Sequence, residues 1–447
     1  MAGQATHAPP SSRTIWKAIT AAGLGNAVEW FDFALYGYLA TDYIEKVLLP
    51  PSASPTVKAL EVWGIFAISF LIRPLGSIVL GPLGDKVGRK AILSLTIIAM
   101  CIGTAGLGLI PSYATIGVWA PILLILVRLV QGFSTGGEYA GAATFIAEYA
   151  PNKRRGFLGS FLEAGTYVGF ILGSAMVLIL TLTLSDSSML SWGWRIPFFV
   201  AAPLGLIGAY LRTRLSDTPE FNEAAERGDL RTPFLQMLVA NWRRMLTLVG
   251  IVILLNIGYY ILLTYLPSYL QSVLKLTATQ SSLVAIGIYV MMLILIAPVG
   301  TLSDKFGRKP MLQIAAGGFF LFSVPCFLLI NSHNVVGMTV GLVVMALLLL
   351  PMASTIPATL PALFPTRVRY GAFAIGYNVT TSLFGGTAPA IATLLIAATG
   401  SNLIPGFYLM LAALIAAPAV LLMPETAKIS LSDVGTVREK TSSVATA

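Results

Sequence analysis

Charge, histidine and cysteine are all scarce in this chain. Of its 447 residues only 11% are charged, two are histidine and two are cysteine. Cys101 and Cys326 stand far apart with no metal-ligand or redox spacing, so neither a disulfide framework nor a zinc site is expected. His7 and His333 have no sequence partner, and no His, Cys and carboxylate constellation gathers as enzymatic chemistry would need. Acids are unevenly spread. Between Met245 and Met423 Asp304 alone carries a carboxylate. Basic residues give a net charge of +9, but none form a face interleaved with aromatics, which argues against nucleic acid as a partner.

What fills the chain instead is apolar. Hydrophobic residues make up 56%, and the mean hydropathy is +0.82, beyond what a water-soluble core of this size requires. Twelve apolar runs are long enough to cross ~30 Å of hydrocarbon at ~20 residues each. They begin near residues 17, 59, 90, 117, 157, 195, 243, 278, 310, 336, 370 and 403. The expected architecture is an all-α membrane protein of twelve transmembrane helices in two pseudo-symmetric six-helix bundles. Its boundaries are an N-terminal tail (1–16), a first bundle (17–212), a linker (213–242), a second bundle (243–423) and a short polar tail without fixed structure (424–447). With the N-terminus inside, the cytoplasmic segments hold most of the basic residues, including Lys86, Arg89, Lys90, Lys153, Arg154, Arg155, Lys305, Arg308 and Lys309. The other side keeps only Lys46, Lys58, Arg195 and Lys275, so both termini are expected in the cytoplasm. No small-residue cleavage site interrupts the first run, which reads as an uncleaved helix.

The two halves repeat. Gly81-Pro-Leu-Gly-Asp85-Lys-Val-Gly88-Arg89-Lys90 returns as Gly300-Thr-Leu-Ser-Asp304-Lys-Phe-Gly307-Arg308-Lys309, and Thr218-Pro-Glu220 is echoed by Pro424-Glu425-Thr426. Pseudo-symmetric halves that rock about a midplane site are the logic of secondary transporters.

Ionisable residues inside a bilayer are functional candidates by default. In the first span Asn26, Glu29, Asp32 and Tyr36 share one helical face, and in the fourth Arg128, Gln131, Thr135 and Glu138 share another. At ~1.5 Å rise per residue Asp32 and Arg128 come to nearly the same depth, so an ion pair between them is allowed. Burial raises a carboxylate pKa and a guanidinium lowers it. A proton site at Asp32, tuned by Arg128 with Glu29 as second candidate, is therefore expected; a static pair holding the two helices is the alternative. Arg73 suits a substrate carboxylate or Glu29 equally. Asp85, Arg89 and Glu148 are expected to form an inner gate latch, with Asp304 and Arg308 as its asymmetric counterpart. Trp30, Tyr36, Gln131, Glu138, Asn256, Tyr259, Tyr260, Tyr377 and Asn378 are the expected substrate contacts. Their aromatics would cage an ammonium through cation-π attraction, although aromatics in spans also serve packing and the interface.

The doubled cassette resembles the loop signature of the major facilitator superfamily. Asn26-Ala-Val-Glu29-Trp30-Phe31-Asp32-Phe33, Arg73-Pro-Leu-Gly76, Arg128-Leu-Val-Gln131-Gly132-Phe-Ser-Thr-Gly136-Gly-Glu138 and Trp192-Gly-Trp194-Arg195-Ile-Pro197 are similar to its metabolite:proton symporter branch. Leu262-Leu-Thr-Tyr265-Leu-Pro267-Ser-Tyr269-Leu and Pro361-Ala-Leu-Phe364-Pro365-Thr look most like the proline/betaine transporters, whose longer members carry a C-terminal coiled coil that this chain lacks. The resemblance implies a proton-coupled importer of a small zwitterionic osmolyte in the bacterial inner membrane. It implies no cofactor beyond the coupling proton, and no partner beyond substrate and bilayer. A proton symporter of a carboxylate such as citrate, 2-oxoglutarate or shikimate, with Arg73 and Arg128 as anion ligands, is the alternative.

Overall fold

The computed structural model describes residues 12–51, 54–87, 89–213, 234–332, 334–427, 429–431 and 434. The first half contributes α1 (Ser12–Leu39), α2 in two segments (Pro55–Leu71 and Arg73–Val87), α3 (Arg89–Leu109), α4 in two segments (Trp119–Ser134 and Glu138–Tyr149), α5 (Arg155–Thr183) and α6 (Ile196–Thr213). The second half contributes α7 (Phe234–Tyr259), α8 (Ala278–Phe306), α9 (Arg308–Ile330), α10 (Val335–Thr359), α11 (Thr366–Thr380, resumed at Ala388–Thr399) and α12 (Ile404–Leu422). Nine of these spans, among the described residues, are long and apolar enough to cross a bilayer by composition alone, and Leu95–Leu109 and Gly193–Ile207 are shorter apolar stretches. The remaining span is α1, whose apolarity is diluted by Lys17, Glu29 and Asp32.

Packing reproduces the repeat. In the first half α1 lies on α5 and α6, α3 on α4 and α6, and α2 on α4. In the second α7 lies on α11 and α12, α9 on α10 and α12, and α8 on α10. The halves meet chiefly where α5 packs along α8 and α10, and where α2 meets α11. Large apolar side chains line the outer surface: Ile102, Leu182, Ile294, Leu321 and Leu422 are each more than 60% exposed. So much outward apolar surface is stable only against lipid. Buried polar residues lie at the centre instead.

Local sequence explains why α5 approaches α1 so closely. Gly165 and Gly169 face α1, and a Cβ at either would run into the carbonyl oxygens of Gly23 and Ala27. Small residues at four-residue spacing let two backbones touch. Asn26 then bonds across this contact, donating to the Leu162 carbonyl at 2.8 Å and to Thr166 at 2.7 Å. The opposite face of α5 is thereby turned to the centre of the molecule. Among the described residues three helices widen near one end, the first being α1 at Ala40–Ile44. α7 passes into a wider π turn at Tyr260–Tyr265 before Leu266–Ser272, and α11 does the same at Thr381–Gly385. Such turns free main-chain groups and cluster at functional sites.

Candidate functional site

Two buried ion pairs occupy the first half. Arg128 Nη1 lies 3.2 Å from Asp32 Oδ2, with the side chains 0% and 4% exposed. Gln131 completes the group, accepting from Arg128 at 3.0 Å and donating to Asp32 at 3.1 Å and Thr104 at 2.9 Å. The Arg128 guanidinium lies over the Tyr36 ring, 3.8 Å from its centroid, while the Tyr36 hydroxyl donates to the Val62 carbonyl. Arg73 Nη2 lies 3.2 Å from Glu29 Oε1, and its guanidinium sits 4.2 Å from the Phe70 ring centroid. Both arginines keep buried N–H groups without an acceptor: Nε of Arg73, and Nε and Nη2 of Arg128. A charged pair in so apolar a setting stays favourable only while both members remain.

Beside these pairs a narrow cavity opens at the seam between the halves. Trp30 of α1, Tyr139 of α4, Glu163 of α5, Leu255, Asn256 and Tyr259 of α7 and Tyr377 of α11 line it. Its water-accessible volume is ≈ 10 Å³, room for about one water. The rings form a continuous wall. Trp30 lies 5.8 Å from both Tyr259 and Tyr260, and Tyr139 stacks on Tyr377 at 4.4 Å. Glu163 accepts from the hydroxyls of Tyr139 at 2.6 Å, Tyr259 at 2.5 Å and Thr166 at 3.4 Å.

The expected contacts therefore separate into groups. Trp30, Asn256, Tyr259 and Tyr377 line the cavity together, and Tyr260 stands behind Trp30 against Phe70. Tyr36 and Gln131 belong to the Asp32–Arg128 network. Asn378 ties the halves, donating to the Gly136 carbonyl at 2.6 Å and to Ser77 at 3.0 Å. Glu138 is buried at the start of the second α4 segment, outside the cavity lining. Tyr139, Glu163 and Leu255 complete the lining although no pairing pattern in the sequence singles them out. An acid inside an apolar span is the signal that the sequence offers for Glu163.

On the face where α1 begins and α12 ends, the two halves are joined. The Asp304 carboxylate, at the end of α8, accepts from the main-chain N–H groups of Gly156 and Phe157, both at 2.8 Å, and from Arg308. A carboxylate from one half thus caps the N-terminus of α5 in the other. Glu148, expected beside Asp85 and Arg89, lies 3.0 Å from Arg369 of α11; the side chains of Asp85 and Arg89 lie outside the described residues. The segment after α12 is ordered here. Glu425 caps α9 at the N–H groups of Arg308 and Lys309, and the carbonyls of Ile429 and Leu431 accept from Arg155 at 3.3 Å and Arg369 at 2.7 Å. The far face is also closed, with Tyr38 against Tyr289, Thr41 against Ser268 and Trp63 against Tyr265. The cavity is sealed on both sides.

Comparison with known proteins places this arrangement. Residues 22–387 match the family model described as Major Facilitator Superfamily. The proline/betaine transporter of Escherichia coli (strain K12) is 44% identical over 422 residues, covering 92% of this chain and 84% of that protein. The glycine betaine/proline/ectoine/pipecolic acid transporter OusA of Dickeya dadantii is 44% identical over 421 residues, covering 92% and 83%. Among solved structures, the proton:xylose symporter XylE bound to 6-bromo-6-deoxy-D-glucose superposes with a TM-score of 0.77 over 96% of this chain and 100% of that one, at 18% identity. That likeness concerns the fold. The chain is a multi-pass membrane transporter and belongs to the Major Facilitator Superfamily, in the same family as the curated proline/betaine transporters.

Proposed function

We propose that this chain imports a small zwitterionic osmolyte of the proline or glycine betaine type, coupled to proton entry, by alternating access across the bacterial inner membrane. The face where α1 begins and α12 ends is the cytoplasmic one, in accord with its excess of Lys and Arg. No cofactor takes part; the coupling ion is the proton. The observation that carries the reading is the aromatic cavity at the seam beside a buried acid–base pair. The Arg73–Glu29 pair acts electrostatically on Tyr377, a cavity wall, while Asp32 and Arg128 meet on a face of α1 other than that of Trp30.

Each half of the proposal has its own support. The relatives are named for proline, betaine, ectoine and pipecolic acid, all small molecules that join a carboxylate to a cationic nitrogen. A desolvated ammonium against aromatic faces gains about 2 kcal/mol, and Trp30, Tyr139, Tyr259 and Tyr377 supply those faces. Arg73, close enough to Tyr377 and Tyr260 to act on both electrostatically, has an N–H to offer the carboxylate end. Asp32, the buried carboxylate paired with Arg128, is the residue that carries the transported proton.

Purified protein in proteoliposomes tests this directly. An imposed inward proton gradient should drive accumulation of labelled betaine and proline, but not of citrate or 2-oxoglutarate. Asp32→Asn should abolish accumulation while leaving betaine exchange between equal pH compartments. Betaine uptake indifferent to collapse of the gradient defeats the coupling claim, and gradient-driven citrate uptake defeats the substrate claim.

A further inference from the structure

A carboxylate deep in a membrane protein is held by a cation, by a proton or by a shell of donors. The first half buries Glu29, Asp32, Glu138 and Glu163 to the same degree, each 3% exposed, and of the four Glu163 is the one on the cavity lining. Glu29 has Arg73 and Asp32 has Arg128. Glu163 has hydroxyls alone, from α4, α5 and α7, and among the described residues no Lys or Arg lies within ion-pair distance. Tyr139 and Tyr259 each donate to one of its two oxygens, which satisfies part of its acceptor capacity and brings no opposite charge. The ring faces around it are themselves negative in potential.

This is a cavity with one acidic side chain, aromatic walls and no basic side chain on its lining. Its complement is a compact cation carrying alkyl groups. We propose that Glu163 is the fixed counter-charge for the cationic nitrogen of the transported molecule, a role that rests on the osmolyte reading above and assigns its ammonium subsite. Binding is then linked to the seam. With room for about one water, the cavity admits an alkylated ammonium only by displacing a tyrosine hydroxyl, and the Tyr259 hydroxyl is the one that reaches Glu163 from the opposite half. The substrate's nitrogen replaces a bond that crosses the seam, so occupancy changes how the halves are tied.

The test is betaine and proline counterflow in proteoliposomes without a pH gradient, which reads substrate binding apart from proton coupling. Glu163→Gln keeps the shape and an acceptor but removes the charge. Losing a charge-assisted hydrogen bond of ~1.5–3 kcal/mol raises half-saturation for proline, whose nitrogen carries N–H donors, roughly 10- to 100-fold, and that for betaine, whose nitrogen has only a Coulombic contact to lose, by less, with Glu163→Asp in between. Choline, which has the cation but no carboxylate, should inhibit the wild type and lose that inhibition in Glu163→Gln. Tyr259→Phe removes the hydroxyl that must be displaced, and should lower betaine half-saturation by about 3-fold; this variant carries the test if Glu163→Gln does not fold. Unchanged half-saturation and choline inhibition in Glu163→Gln, or a raised value in Tyr259→Phe, overturns the assignment while leaving osmolyte transport standing. A wild type that exchanges citrate but neither betaine nor proline removes the osmolyte reading, and this assignment with it.

Discussion

Asp304→Asn should open the face where α1 begins and α12 ends. In the wild type this carboxylate accepts two main-chain N–H bonds from α5 at 2.8 Å, and both cross the seam between the halves. An amide has one oxygen, so one bond is lost and the other falls from charged to neutral. With ~1.5–3 kcal/mol for a bond to a charged group and ~1 kcal/mol for a neutral one, the closed arrangement loses roughly 2–5 kcal/mol. That corresponds to a roughly 30- to 4000-fold larger open population, by roughly tenfold per 1.4 kcal/mol. The reporter is Ser160→Cys, placed where the side chain is wholly buried beside Gly300, in a background with Cys101 and Cys326 replaced. Maleimide alkylation of detergent-purified protein follows the open population when opening and closing are fast relative to labelling. The alkylation rate should rise by the same factor. A cysteine at Ser268, on the opposite face, should react no faster. A rate at position 160 within 3-fold of the wild type, in protein with an unchanged thermal transition, refutes the claim that this cap holds the halves together.

Other expectations follow from the same geometry. Arg128→Leu strands a buried Asp32 and should cost about 3–5 kcal/mol, whereas Arg128→Leu combined with Asp32→Asn should recover much of the loss; thermal unfolding in detergent decides, and equal melting of single and double variants speaks against the pair. Gly169→Leu drives a side chain into the Ala27 carbonyl and the Phe31 amide and should cost at least ~1–3 kcal/mol, while Gly64→Ala, with nothing within 4 Å of its Cβ, should melt like the wild type. Trp30→Ala should raise betaine half-saturation about 10- to 30-fold, from ~2 kcal/mol of cation-π attraction, and Trp30→Phe by less; equal values for all three would remove Trp30 from the site.

Regular features are legible in the sequence because they repeat along it. Apolar runs mark the spans, and a count of rises brings Asp32 and Arg128 to one depth, where the structure has them 3.2 Å apart. α1 shows the limit of hydropathy, since two of the residues that weaken its apolarity, Glu29 and Asp32, are buried in the interior. Convergence is harder to see. Tyr139, Tyr259 and Tyr377 reach the cavity from three helices whose order in space depends on packing, and no spacing links them to Glu163. Tyr36 has the right face but rests under Arg128, because helical position does not determine which neighbour fills the space above a ring. The segment after α12 reads as polar and unstructured because its ties to Arg155 and Arg369 use main-chain carbonyls, which any residue possesses.

That last feature bears on how the protein is handled at the bench. Arg155 belongs to the first half and Arg369 to the second, so the strand from Glu425 to Leu431 works as a stitch joining both, with Leu431 tucked against Ala147 and Ala362. An affinity tag or fluorescent reporter spliced directly after Met423, where the last helix gives out, would cut that stitch and leave two guanidinium groups short of acceptors. A junction placed beyond residue 434 preserves it.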